Sequence, residues 1–168
     1  MFYGHAAELA IRATLYMAGR PSGEHSTVRD VAKATSLPSA YLSKVIQRLA
    51  QAGLVRTYRG PGGGIELAHP PEAITLWALV RATDGSADIN RCALGIGNCS
   101  STDPCPLHNR WAPLREEFQK LLEGTTVAAL RQELRKGRGD DRPTGGVPPP
   151  HSGAALFGKL IRKRQDQS

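Results

Sequence analysis

Three cysteines, Cys92, Cys99 and Cys105, fall in one short stretch, and His108 follows close behind. Their spacing is Cys-x6-Cys-x5-Cys-x2-His. Three thiolates and one imidazole make a four-donor set for Zn²⁺ or for an iron–sulfur cluster. The gaps exceed the Cys-x2-Cys knuckle of structural zinc sites, which favours wrapping something larger than one ion. The intervening residues are mainly Gly, Ser, Asn and Asp, whereas purely structural cysteines prefer apolar neighbours. Pro106 suits the first turn of a helix, which would put Cys105 at a helix N-terminus, where dipole and amides favour a thiolate. A histidine at a helix start is as readily a surface residue as a ligand, so His108 is a candidate only by its spacing.

The elements around this loop follow from periodicity and breakers. Leu107, Trp111, Leu114, Phe118 and Leu121 recur at spacings of 4, 3, 4 and 3, the seam of a helix that pairs with another helix. Pro113 predicts a kink there, or a helix proper starting near Trp111. A short helix over 126–134 closes the unit, and one over about 75–83 precedes the cysteine loop of 84–105. Nearer the N-terminus, an alanine-rich helix over 3–19 carries Leu9, Ile11, Leu15 and Met17, and Gly19, Pro21 and Gly23 stop it. Thr27, with Asp30 three places on, caps a helix over 27–34. Thr35-Ser36-Leu37-Pro38 breaks it, and Ser39 is the expected N-cap of a third helix running to about Ala52. Leu54 to Arg59 and Ile65 to Leu67 read as two strands joined by Gly60-Pro61-Gly62-Gly63-Gly64.

Helix, sharp turn, helix and glycine-rich hairpin is the order of a winged helix-turn-helix. Burying Leu42, Val45, Ile46 and Leu49 leaves Ser39, Tyr41, Ser43, Lys44, Gln47 and Arg48 facing outward. That face offers hydroxyls, Gln and Arg to base edges and Lys to phosphates. Arg59, Pro61 and Gly62 at the wing tip, with Thr27, complete the candidate DNA contacts. The bland alternative is a plain loop beside a solvated helix face. Charge agrees with the sharper reading: residues 1–60 hold eight Lys/Arg against three Asp/Glu, while 61–134 hold six against nine. The net charge of the chain is +7. No run approaches the ~20 apolar residues of a membrane span, and no signal peptide stands at the N-terminus. The expected compartment is the cytoplasm, where clustered cysteines indicate metal or redox sensing.

The sequence therefore predicts a mainly α protein: a winged helix-turn-helix with a small β-hairpin wing, plus a C-terminal dimerisation helix. The divisions are 1–83 for DNA binding, 84–134 for the cysteine loop and dimerisation helix, and 135–168 for a disordered, basic, Gly/Pro-rich tail. The expected partners are double-stranded DNA and a second copy of the chain, with no membrane. An enzyme is disfavoured, because the 60–64 loop lacks the Lys-Ser/Thr of a phosphate loop and no Ser/His/Asp arrangement is evident.

Gly53-Leu54-Val55, Arg59-Gly60-Pro61-Gly62-Gly63-Gly64 and the three-cysteine loop resemble the IscR/NsrR-type family of bacterial regulators, also called the Rrf-two family. The resemblance covers roughly residues 1–134. It implies a homodimer whose protomers each bind a [2Fe–2S] or [4Fe–4S] cluster, so that redox state, nitric oxide or iron–sulfur status alters promoter binding. Cys92, Cys99 and Cys105 match the three cysteine ligands. His108 matches the fourth ligand of one branch, and Glu8, donated by the other protomer, that of the nitric-oxide-sensing branch. The chain departs by one extra residue between Cys92 and Cys99, which bears on cluster type. Some family members carry no cluster. A regulator using zinc or bare thiols is accordingly the alternative, with an iron–sulfur electron-transfer protein behind it.

Overall fold

The computed structural model describes residues 3–21, 23–85, 92, 94–95 and 100–136. Its centre is α1 (His5–Met17). Ala7, Leu9, Ala10 and Ala13 are completely buried, and such small side chains let α1 pack against several other helices at once. Each fully buried leucine stabilises by roughly 1.5–3 kcal/mol, and Leu9, Leu42, Leu49 and Leu79 are of this kind.

α2 (Val28–Thr35) begins with the predicted cap in its complete form: Thr27 Oγ1 accepts from the Asp30 amide, and Asp30 Oδ2 accepts from the Thr27 amide, each at 3.1 Å. Ser36 ends α2 in the left-handed region at φ 55°. α3 (Ser39–Gln51) buries Leu42, Val45, Ile46 and Leu49 as its periodicity requires. Ser39 is its first helical residue and not its cap. Pro38 holds the extended cap position at φ −63°, and no side chain caps the helix, because the proline ring carries no acceptor.

β1 (Val55–Tyr58) and β2 (Gly64–Leu67) form an antiparallel hairpin with Arg56 opposite Glu66. Gly64 belongs to the return strand and not to the turn. Ser26 bridges Ile65 by amide-to-carbonyl bonds of 3.1 and 2.8 Å, pinning the wing to the segment before α2.

A 3-10 turn (Pro71–Ala73) leads to α4 (Leu76–Asp84), capped by Thr75. α5 (His108–Gly124) starts three residues earlier than Pro113 suggested and runs through it. α5 continues on both sides of Pro113 despite the lost amide donor and the crowding of the ring against the preceding turn. Pro106 and Leu107 lie ahead of α5, so Cys105 precedes the helix by three residues and is not in its first turn. α6 (Val127–Lys136) returns to the core: Val127 is fully buried, its amide donates to Ile74 O at 2.9 Å, and the helix packs on α1. Residues 137–168, the bulk of the expected disordered tail, lie outside the described residues.

Candidate DNA interface and cysteine site

On α3, Ser39, Tyr41, Lys44, Gln47 and Arg48 are exposed and Ser43 is half-buried, as a groove-reading face requires. Their roles differ. Ser43 Oγ donates back to Ser39 O at 2.9 Å, a local bond that a base edge would have to displace. Tyr41 stacks on His5 with ring centroids 5.8 Å apart. Arg48 Nη1 donates to Thr83 O at the end of α4, 2.6 Å away, so its guanidinium is anchored sideways and does not project straight outward. Thr27 is exposed, but its hydroxyl is engaged by Asp30.

At the wing, Arg59, Gly60, Pro61 and Gly62 are exposed. Gly62 has φ +77°, which only glycine adopts at little cost. A Cβ on Gly63 would stand 2.5 Å from Tyr58 O, so the turn is as tight as backbone allows. Behind the tip, Tyr58 stacks on His25 at 4.2 Å, and its hydroxyl donates to Glu66 Oε1 at 2.5 Å. That bond to a carboxylate raises the Tyr58 pKa above its ordinary value.

At the cysteine site, Cys92 is buried and Cys105 half-buried, with their Sγ atoms 3.3 Å apart. A disulfide needs about 2.05 Å, so this is a dithiol. Two thiolates on one tetrahedral metal with bonds of about 2.3 Å stand about 3.8 Å apart, so the pair fits a metal–sulfur centre with small adjustment. Cys99 lies outside the described residues. The His108 amide donates to Cys105 O at 2.9 Å, tying the cysteine to the start of α5. Among the described residues no three His, Cys, Asp or Glu side chains form a metal-holding group. Glu8 instead faces His5 Nδ1 at 3.3 Å and Arg12 Nη1 at 3.9 Å.

Three residues that the sequence reading passed over help to build this surface. Arg12 is buried within α1 and donates to Thr35 O at 2.5 Å, at the last residue of α2. A lone arginine among alanines and leucines was the visible signal. His5 and Arg81 border α3 from neighbouring elements, and nothing in their local sequence marks them.

The chain matches the Rrf2 family model, described as an iron-dependent transcriptional regulator, over residues 4–133. It is 32% identical over 140 residues to the HTH-type transcriptional regulator NsrR of Geobacillus kaustophilus, covering 79% of this chain and 95% of that one. It is 33% identical over 121 residues to the HTH-type transcriptional regulator IscR of Yersinia enterocolitica, covering 72% and 73%. Among solved structures, CymR, the global cysteine regulator of B. subtilis, superposes with a TM-score of 0.65 at 21% identity, over 77% of this chain and 95% of that one. IscR of T. potens gives 0.65 at 19%, over 83% and 92%. These likenesses confirm the winged-helix architecture. No helix among the described residues is long and apolar enough to cross a membrane. The chain belongs to the Rrf2 family, whose members regulate transcription and are not enzymes.

Proposed function

We propose that the chain is a homodimeric DNA-binding regulator that senses redox, nitric-oxide or iron–sulfur status through a cluster held by Cys92, Cys99 and Cys105. The observation that carries this reading is the approach of the Cys92 and Cys105 sulfurs to 3.3 Å just ahead of α5. The iron-dependence in the family's description and the likeness to NsrR and IscR support it. His108 takes the fourth ligand position, with Glu8 from the second protomer as the alternative. When bound, a [2Fe–2S] or [4Fe–4S] cluster supplies a centre that responds to oxidants and nitric oxide.

The protein's own contribution is mechanical. Engaging the thiolates fixes Cys105, and with it the start of α5 through the His108 amide. α5 packs on α4, and α4 packs on α1 and α3. Arg48 of α3 grips the last turn of α4. A constraint on the cysteine loop of 84–105 thereby reaches the recognition helix, α3, and sets the distance between the two recognition helices of a dimer. A coupling of about 1–3 kcal/mol changes affinity by about 5–150-fold.

The test is purification under argon with iron, sulfide and visible absorption measured together. The expected product is coloured, with iron and sulfide bound, and Cys92→Ala, Cys99→Ala and Cys105→Ala lose both. Colourless, iron-free protein that resists reconstitution would overturn the cluster. Zinc or thiol chemistry at the same sulfur pair, to which the 3.3 Å separation is equally suited, would then be the function of the loop.

A further inference from the structure

Beside the recognition helix lies an open groove bounded by the start of α1, the outward face of α3 and the end of α4. His5, Tyr41, Arg48, Arg81 and Asp84 line it. Arg48 is held at its wall by the bond to Thr83 O. That carbonyl lies at the negative end of the α4 dipole, which steadies the cation without neutralising it. Arg81, one turn nearer the start of α4, is exposed, and its side chain has no hydrogen-bond or ion-pair partner among the described residues. The carboxylate in the groove, Asp84, accepts from the Gly4 amide at 2.5 Å and so faces the positive end of α1. His5, stacked on Tyr41, makes the opposite wall.

Two guanidinium groups therefore share a groove whose side is the recognition helix. Tyr41, Lys44 and Arg48 follow one another along α3 at helical spacing, so a polyanion lying against that stripe passes the groove mouth. Guanidinium forks match phosphate oxygens in a bidentate manner. The sideways anchoring of Arg48 suits a phosphate better than a base edge.

We propose that this groove takes a backbone phosphate of the bound duplex, held by Arg48 and Arg81, and that α4 is thereby part of the DNA-binding surface. The proposal rests on the DNA-binding reading above and extends it beyond helix-turn-helix and wing.

The experiment measures binding of the full chain to a random-sequence duplex over a range of salt concentrations. Each lost phosphate contact lowers the slope of log affinity against log salt by about 0.9. Arg81→Ala is expected to lower it by that amount per protomer, and Arg81→Lys to retain the wild-type slope. Lys120→Ala on α5 serves as a remote control for lost charge. An Arg81→Ala slope equal to wild type, or lowered no more than that of Lys120→Ala, overturns the groove. Arg59→Ala separates the two levels. If it weakens binding while Arg81→Ala does not, the groove alone fails. If the chain binds no duplex at all, the underlying DNA reading fails with it.

Discussion

Asp30 shows how one carboxylate holds the entry to the helix-turn-helix. Its oxygen accepts from the Thr27 hydroxyl at 2.6 Å and from the Thr27 amide at 3.1 Å, and these bonds lower its pKa below the ordinary carboxylate value. A depressed pKa means that the stabilisation is fully present above the unfolded carboxylate pKa of about 3.9 and is lost as pH falls through the lower folded value. Asp30→Asn should therefore reduce the loss of thermal stability between neutral pH and pH below about 3.5. Unfolding midpoints of both proteins across that window check it, and parallel curves would count against the cap. The cap was readable because both partners are local. Arg48 was not fully readable: its outward position follows from α3 periodicity, but its bond to Thr83 joins residues 35 positions apart. The cysteines were legible as a donor set from composition and spacing. The closeness of Cys92 to Cys105 depends on how the chain returns to α5, which no local signal encodes.

Among the elements, the wing is the most exacting in its backbone. At Gly63 an added methyl would meet Tyr58 O at 2.5 Å, so Gly63→Ala must open the turn. The expected cost is about 1–3 kcal/mol in denaturant unfolding, as for overpacking elsewhere, with weakened duplex binding because Arg59 and Pro61 are re-aimed. An unchanged midpoint would mean that the hairpin relaxes freely. Glycine and proline marked the hairpin and the ends of α1 to α3 because they act through their own φ/ψ limits. They misled at α5, where Pro106 and Pro113 each imply a different start and the packing of the following turns settles on His108. The seam was also only half legible. Trp111 and Phe118 are partly buried, and Phe118 stacks on Tyr3 at 6.0 Å within its own protomer.

For the whole molecule, what remains outside on that helix is Leu114, 55% exposed, and Leu121, 61% exposed, two turns apart on one stripe. This pair is the natural centre of the proposed homodimer. Leu114→Glu combined with Leu121→Glu should give a monomer in sedimentation. Protomer stability should change little, since both side chains already face water. A dimer that persists would place the interface elsewhere.

The burial of Val127 has a consequence for how the protein is made. The last helix supplies a fully enclosed side chain beside Ile74 and α1, so the core shared by α1 to α4 is incomplete while the ribosome is still short of that residue. By then Cys92, Cys99 and Cys105 have already been synthesised. The core and the three cysteines are therefore completed together, and a chain released before Val127 would lack the closed interior that α1 to α4 share.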